Sequence, residues 1–321
     1  MTGARGEMTT STHSDGGMRA HAALVGSAAC FGSATALSKY ALATLSAADL
    51  LLIEVAGSAA LLGAMVQWRG RLLTPRWRSY VLLGAVEPAA TYLLANLGLA
   101  RTSAGRGALL LSLETAFGVA AAALVARERI SVRAGLALIG GLSGAALIGA
   151  ESTGDRATLT GDVLVLASAA AAGGYGVLAR RLPTRDDPLT ITAIQYLAAT
   201  FLVFPFVAAS WLTSGTRLLS APPPVWAAAV ATAVIGSAVA FVLFNYAIAQ
   251  VPAGRAALLL GLTPLFGVAA AAAGLHETIT ARQLLGGLII LAGLTALAPP
   301  RRCRPSHMSG SAVSAKSRRR P

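Results

Sequence analysis

The sequence predicts an all-α membrane protein of about ten transmembrane helices, arranged as two inverted five-helix repeats. Three observations predict this class. Of the 321 residues, 55% are hydrophobic and only 12% are charged, whereas a soluble domain carries about 25% charged residues. The apolar residues form long runs, close to the roughly 20 residues that a helix needs to cross a bilayer. A long segment of the first half also recurs in the second half.

Ten apolar runs follow one another along the chain, and short polar connections separate them. The first run could pass for a signal peptide, but it is longer than a usual signal core and nine more runs follow it. Because the connections are short, consecutive helices are expected to pack as antiparallel neighbours. The segments 1–21 and 299–321 are predicted to be disordered polar tails. The predicted spans are residues 22–43, 48–67, 79–99, 103–124, 131–150, 161–180, 188–210, 224–247, 253–273 and 279–298.

The positive charges predict how the helices are oriented. Lys and Arg accumulate in the cytoplasmic loops of membrane proteins. With both termini in the cytoplasm, 20 of the 26 basic residues fall on the cytoplasmic side, five on the other side, and Lys39 inside the first span. We therefore interpret the net charge of +13 as a topology signal and expect no nucleic-acid partner. The prediction is a multi-pass protein of the cytoplasmic membrane, embedded in the lipid bilayer with both termini inside.

The internal repeat is the most informative feature of the sequence. Residues 104–133 recur as residues 253–282, and about 18 of the 30 aligned positions are identical. A shorter offset relates spans one and six and pairs Gly32 with Gly173. Pairs that do not depend on alanine are Gly105/Gly254, Arg106/Arg255, Phe117/Phe266, Gly118/Gly267, Glu128/Glu277 and Asn96/Asn245.

Each repeat, residues 22–150 and residues 161–298, contains five spans. Because five is an odd number, the second copy must cross the membrane in the opposite sense to the first. Inverted repeats of this kind are typical of secondary transporters, in which the substrate site lies at the repeat interface near the bilayer midplane. Exchanging the conformations of the two halves would convert a cavity open to one side into a cavity open to the other.

Short motifs at corresponding places in the two repeats resemble those of the drug/metabolite transporter superfamily, specifically its EamA-type members. The resemblance covers residues 22–298 and depends on the order and repetition of the motifs. It implies transport of amino acids, metabolites or drugs. The matching motifs are Phe31-Gly32-Ser33 followed by Lys39, Leu262-Thr263-Pro264-Leu265, and Glu277-Thr278-Ile279-Thr280 followed by Gly286-Gly287. The sequence departs from the family's motifs at two positions, and both departures leave the identity of the substrate open. Glu54 stands where such proteins often carry an Arg, and the first repeat has Thr115 where the second repeat has Pro264.

Glu87 and Glu114 are the sharpest candidates for a functional site. Both lie about halfway along their spans, where a charge is costly unless it faces a cavity or a partner. On an ideal helix each shares its face with small or polar residues. We interpret them as candidate binding groups for a cationic or amino-bearing substrate or for a coupling proton. The alternative is a buried hydrogen bond between helices.

Two prolines and two arginines are further candidates. Pro88 and Pro264, the latter beside Thr263, each free a backbone carbonyl one turn earlier, and broken helices recur in transporter sites. An ordinary kink is the alternative. Arg106 and Arg255 are related by the repeat and should lie at opposite membrane faces. They are candidate gates for anionic groups, or else their side chains simply extend to the interface.

The remaining candidates are polar side chains inside the spans. Lys39 and Glu54 are expected to pair, although Lys39 is also a candidate for substrate contact. Asn96 and Asn245 are symmetry mates suited to hydrogen bonds between helices. Tyr92 and Tyr175, together with Gln195 and Tyr246, are candidates for lining a cavity.

Several classes of function find no support in the residues. A GxxxxGK[ST] motif is absent, as are metal-binding spacings such as HExxH or CxxC. We therefore expect no cofactor, no metal and no enzymatic activity. The favoured function is a secondary transporter, more specifically an exporter, with a small-molecule substrate. A non-transporting scaffold or sensor and a membrane-embedded enzyme are the alternatives, and both a monomer and a homodimer remain open.

Overall fold

The structure is a computed structural model, and it describes residues 11–69, 74–126, 132–150, 156–181, 186–248, 250–251 and 259–295. Within these residues the chain forms helices and turns and contains no strand. We number the helical runs as spans one to ten. Spans one and two are Ser11–Leu42 and Ala47–Trp68, and spans five, six and seven are Val132–Gly149, Arg156–Arg181 and Pro188–Ser214.

The other spans are interrupted or shorter. Span three is Trp77–Gly84, a kinked segment Ala85–Ala90, and Thr91–Leu99. Span four is Ala104–Leu111 and Glu114–Ala126. Span eight is Pro223–Ala231, a π-helical segment Thr232–Val239, and Ala240–Ile248. Spans nine and ten contain the helices Thr263–Leu275 and Ala281–Thr295. A 3-10 turn, Leu218–Ser220, precedes span eight.

The predicted fold class is confirmed in the described residues. Seven of these runs are long and apolar enough to cross a membrane, and three shorter apolar helices lie in spans five, nine and ten. The first helix begins at Ser11 and so extends into the segment predicted as a tail. A helix that is already nucleated propagates easily beyond its apolar part. The loop that carries Glu128 and the tail that carries Cys303 lie outside the described residues.

The two halves repeat the same helix boundaries. The helix Glu114–Ala126 of span four corresponds, at the offset of 149 residues, to Thr263–Leu275 of span nine. The helices Thr91–Leu99 and Ala240–Ile248 match in the same way, and a segment that departs from α-helical geometry precedes each of them. The structure therefore contains two copies of one five-span unit.

Gly173 and Gly32 make equivalent close contacts in the two repeats. A Cβ atom added at Gly173 of span six would lie 2.7 Å from the Glu114 carbonyl oxygen and 2.5 Å from the Gly118 amide nitrogen. A Cβ atom at Gly32 of span one would clash with the carbonyl oxygen of Thr263 and lie 2.8 Å from the amide nitrogen of Gly267. In each case a span of one repeat crosses the broken span of the other repeat in backbone contact.

Three pairs of equivalent spans pack against each other across the two halves: two with seven, four with nine, and five with ten. Glycines allow close contact between spans five and ten, since Cβ atoms at Gly140 and Gly144 would lie 3.3 Å from Gly293 Cα and 2.5 Å from the Gly286 carbonyl oxygen. The Gly140-x-x-x-Gly144 motif therefore packs within the chain. Large apolar side chains such as Leu136, Phe201 and Leu288 face outward.

Two aspartates connect the halves at the two ends of the bundle. We call the end where span one begins the N-side and the end where it finishes the far side. On the far side, Asp49 accepts hydrogen bonds from Trp211 Nε1 and Thr216 Oγ1, both at 2.8 Å. On the N-side, Asp186 accepts hydrogen bonds from Tyr80 Oη at 2.6 Å and Thr74 Oγ1 at 2.8 Å. These two hydrogen bonds hold the pKa of Asp186 below its usual value.

Candidate functional site

Glu87 lies where span three departs from a regular helix. Two helical pieces meet at a kink within the segment Ala85–Ala90, and at this kink the backbone of Glu87 is extended, with φ −137° and ψ 121°. Pro88 follows and has no backbone N–H to donate. From the rise per residue of a helix, Glu87 is about 15 Å from the start of the span at Trp77, which is near the middle of the bundle. Broken helices near the middle of the membrane are a recurrent way to build transporter sites.

Glu114 lies at a similar depth on span four. It begins the helix Glu114–Ala126, directly after a break at Ser112 and Leu113. Its backbone carbonyl is in the contact with Gly173 described above, and its side chain is exposed. The break separates this carboxylate from the preceding helix and places it at a helix N-terminus, where negative charge is favoured.

The structure brings Glu87 and Glu114 together with two polar residues of the second repeat. The segment Ala85–Ala90, which carries Glu87, and the helix that begins at Glu114 both pack against span six, which carries Tyr175. The hydroxyl oxygen of Tyr175 accepts a hydrogen bond of 3.1 Å from Gln195 Nε2 of span seven, and Gln195 is buried. We call Glu87, Glu114, Tyr175 and Gln195 the central polar cluster. It draws two spans from each half of the protein.

A hydroxyl network lies next to the central polar cluster. The Tyr92 hydroxyl is 2.8 Å from the Tyr196 hydroxyl and 3.1 Å from Ser237 Oγ. These residues come from spans three, seven and eight, and the two tyrosine rings meet edge to face with their centroids 6.1 Å apart. On span three, Tyr92 lies between Glu87 and Asn96, and Asn96 donates a hydrogen bond to Glu54. The network therefore lies between the central polar cluster and Glu54.

Glu54 is a buried carboxylate on the other side of the hydroxyl network. Its side chain is 5% exposed, and it accepts hydrogen bonds from Ser38 Oγ at 3.0 Å and from Asn96 Nδ2 at 2.6 Å. Ser38 lies on span one and Asn96 on span three. The expected hydrogen-bonding role of Asn96 is therefore seen in the structure, with Glu54 as its partner.

The expected pairing of Lys39 with Glu54 is wrong. Lys39 Nζ donates instead to the carbonyl oxygen of Leu99, at 2.8 Å. Adjacent residues on a helix point about 100° apart, so Ser38 and Lys39 of span one cannot face the same neighbour. Ser38 takes the place beside Glu54, and Lys39 turns toward the end of span three and the charge of Glu277.

Lys39 lies in a polar cavity of about 640 Å³ on the far side of the bundle. The cavity lies between the far ends of spans one, four, six, nine and ten. Glu277 in its wall accepts hydrogen bonds from the backbone N–H groups of Ala104 and Gly105, at 2.8 and 2.9 Å. The carboxylate thereby caps the N-terminus of span four. The polar lining residues are Lys39, Arg101, Thr102, Ser103, Arg106, Thr158, His276, Glu277, Thr278, Thr280 and Gln283.

Arg106 also lines this cavity, but its positive charge is paired with a carboxylate. Its guanidinium forms an ion pair with Asp162 of span six, with Nη2 and Oδ2 2.5 Å apart, and both side chains are buried. Thr102 Oγ1 donates to the same carboxylate at 2.7 Å. Of the two alternatives for Arg106, a side chain that extends to the membrane interface is therefore wrong. Whether the ion pair acts as a gate stays a prediction.

Other candidate residues lie apart from the central polar cluster. Thr263 and the buried Pro264 begin the second helix of span nine, after a break at Gly261 and Leu262, and pack against span one at Gly32. Tyr246 is exposed. Arg255 lies outside the described residues, and so does the side chain of Asn245.

Sequence reasoning missed several residues of these networks. Asp162 was not singled out, although an acidic residue at the far end of span six could have been matched with Arg106 at the far end of span four. Tyr196 and Ser237 were missed because hydroxyl groups in apolar spans carry no distinctive spacing. Glu277 was noted as part of a motif, but its capping of span four needs two helices distant in sequence to meet.

Fold and site together define the class of protein. The described residues form a multi-pass membrane bundle of two inverted repeats, with polar side chains from both repeats meeting in its interior. The profile of the EamA-like transporter family matches residues 18–150 and, a second time, residues 159–298. The chain belongs to the EamA-like transporter family, and it is a small-molecule transporter embedded in a membrane.

Curated relatives include two named exporters. A probable terminal-alkyne amino-acid exporter of Streptantibioticus cattleyicolor is 30% identical over 215 residues, which is 66% of this chain and 70% of the relative. A probable amino-acid metabolite efflux pump of Salmonella typhimurium is 27% identical over 200 residues, 60% of this chain and 66% of the relative. A solved crystal structure matches 88% of this chain and 96% of its own, with a TM-score of 0.62 and 18% identity, so it shows the fold alone.

Proposed function

We propose that this protein is a secondary transporter that exports small amino-acid-like solutes by alternating access. The observation that carries the proposal is the repeated crossing of spans: Gly32 against the break of span nine, and Gly173 against the break of span four. Equivalent contacts in two inverted units provide two similar hinges on opposite sides of one interior. Exchanging their conformations would open that interior to one side and close it to the other.

The central polar cluster is our candidate for the solute or proton site. A carboxylate that faces lipid near the bilayer midplane is costly. We therefore assign the exposed side of Glu114 to open space between spans three, four and six. There Glu114 and Glu87 can hold an ammonium group or a proton, while Tyr175 and Gln195 supply neutral hydrogen-bonding groups.

The substrate class follows from this chemistry and from the relatives. An amino acid carries an ammonium group that two neighbouring carboxylates would attract. Both named relatives are described as exporters or efflux pumps of amino acids or their metabolites. We propose the same class and the same direction for this chain, with energy from a proton gradient.

The membrane and topology belong to the same proposal. The distribution of Lys and Arg supports an orientation with the N-side in the cytoplasm. The far-side cavity with Lys39 then faces outward, and the carrier lies in the cytoplasmic membrane with both termini inside.

The test is transport by the purified protein in proteoliposomes, with labelled L-leucine and L-propargylglycine as probes. We expect the parent to move a probe faster when a pH gradient is imposed. Glu114→Gln and Glu87→Gln should each reduce this transport at least about tenfold, the effect of losing roughly 1.4 kcal/mol of interaction. Asp186→Asn is the matched control, because it removes a carboxylate at the N-side end and leaves the central polar cluster intact. Parent-like transport by both glutamine variants would reject the site.

A further inference from the structure

We propose that Glu54 is a proton-binding site of the transport cycle, separate from the central polar cluster, and that its protonation state controls the contact between the two halves. The inference rests on the proposed function, since it assigns a coupling residue to that transporter. It begins from an unusual combination in the structure: a buried carboxylate whose hydrogen-bond partners are all neutral.

The hydrogen bonds of Glu54 suit either protonation state. As a carboxylate it accepts from Ser38 Oγ on one oxygen and from Asn96 Nδ2 on the other. Within the described residues no Lys or Arg lies within ion-pair distance of Glu54. A serine hydroxyl can donate or accept. If the Glu54 oxygen beside Ser38 gains a proton, Ser38 can become the acceptor while Asn96 continues to donate to the other oxygen.

Glu54 also lies at a junction of the two halves. Span two packs against spans one and three of its own repeat and against spans seven and eight of the other. Thr232, in the π-helical segment of span eight, lies beside the Glu54 carboxylate. One turn further along span two, Ser58 Oγ donates to the carbonyl oxygen of Ala233, at 3.1 Å. A change of charge at Glu54 therefore acts directly on the interface that alternating access must rearrange.

The titratable groups around Glu54 provide a connection to the central polar cluster. Span one contributes Lys39, which is turned to the Leu99 carbonyl oxygen; span three contributes Tyr92, and span seven contributes Tyr196. Among its described residues, span eight places the uncharged Thr232 beside Glu54. On span three, Tyr92 lies between Glu87 and Asn96, and Asn96 donates a hydrogen bond to Glu54. The hydroxyl network of Tyr92, Tyr196 and Ser237 therefore lies between the two carboxylates.

The first experiment separates coupling from transport. Proteoliposomes containing the parent or Glu54→Gln are assayed for exchange of labelled for unlabelled L-leucine without a gradient, and for accumulation driven by a pH gradient. We expect Glu54→Gln to keep exchange and to lose the accumulation that the gradient drives. Asp49→Asn is the matched control, because Asp49 is a buried carboxylate on the same helix that binds the far-side loop. Its ratio of gradient-driven accumulation to exchange should equal that of the parent.

The second experiment needs no solute. Infrared difference spectra of the reconstituted protein are recorded across a pH titration, following the carbonyl band of protonated carboxyl groups. One titrating band should disappear in Glu54→Gln and persist in Glu87→Gln and Glu114→Gln. If Glu54→Gln does not fold, Asn96→Ser should change the pH at which that band titrates, because it alters a hydrogen bond to the carboxyl group.

The outcomes distinguish the two proposals. Unchanged gradient dependence in Glu54→Gln, or an unchanged set of titrating bands, overturns the assignment of Glu54. A parent protein that moves no probe refutes the proposed function, and the infrared titration then still decides whether Glu54 binds a proton.

Discussion

At the scale of residues, buried charges in this protein are held by partners from distant spans. Arg106 is bound by Asp162, and Glu54 is bound by Ser38 and Asn96. Every buried side-chain nitrogen or oxygen in the described residues has a hydrogen-bond partner. Such complete pairing is what a low-dielectric interior requires.

The pair of Arg106 and Asp162 gives a prediction at this scale. Removing one member of a buried ion pair leaves the other charge uncompensated and costs about 3–5 kcal/mol. We expect Arg106→Gln to lower the thermal stability of the solubilised protein strongly. The double variant Arg106→Gln with Asp162→Asn should recover much of the loss.

Thermal unfolding of the parent, both single variants and the double variant forms a double-mutant cycle. Arg101→Gln is the control: Arg101 lines the same cavity, but it is exposed and donates only to the carbonyl oxygen of Leu97. Additive losses from the two single variants would show that the ion pair contributes nothing beyond its separate side chains.

At the scale of elements, breaks in helices determine where the candidate site lies. Span three is interrupted at Ala85–Ala90 and span four at Ser112 and Leu113, and each break precedes or contains a carboxylate. A broken helix releases backbone groups and lets a neighbouring span approach closely. The glycines of the crossing spans make that approach sterically feasible.

Gly173 tests this role of glycine. A methyl group there would meet backbone atoms of Glu114 and Gly118, and a backbone cannot move aside as a side chain can. We expect Gly173→Ala to destabilise the protein by about 1–3 kcal/mol, the usual cost of overpacking, and to impair transport. The neighbouring Gly174 meets nothing within 4 Å, so Gly174→Ala is the control and should resemble the parent. Equal stability of the two variants in thermal unfolding would contradict the close crossing.

At the scale of the whole molecule, two copies of one unit enclose the polar interior. Equivalent spans pack as pairs across the halves, and the Asp49 and Asp186 contacts connect the halves at opposite ends. This arrangement explains why the central polar cluster contains residues of both repeats.

The inverted orientation of the repeats gives a prediction at this scale. Cysteines introduced at positions 105 and 254, in a background without native cysteines, should react with a membrane-impermeant reagent from opposite sides of the membrane. Position 105 should be labelled from outside intact cells, and position 254 only after permeabilisation. Position 5 in the N-terminal segment is the reference for the inside. Labelling of 105 and 254 from the same side would contradict the inverted repeat and, with it, the carrier mechanism.

The sequence alone predicted much of this architecture, through its apolar runs and its internal repeat. Long apolar runs predicted the number and the approximate positions of the spans, because the bilayer requires about 20 apolar residues for each crossing. The recurrence of residues 104–133 as 253–282 determined the repeat, and its odd number of spans determined the inversion. Glu87 and Glu114 were selected as isolated charges in apolar runs, and the structure brings them together.

The pairings between spans were decided only by the tertiary structure. Nothing in the local sequence distinguishes Ser38 from Lys39 as the partner of Glu54, because the choice depends on how span one is rotated about its axis. Asp162 became the partner of Arg106, and Tyr196 of Tyr92, only when spans far apart in sequence came into contact. Hydropathy and spacing act along one helix, whereas these contacts depend on the angles at which several helices pack.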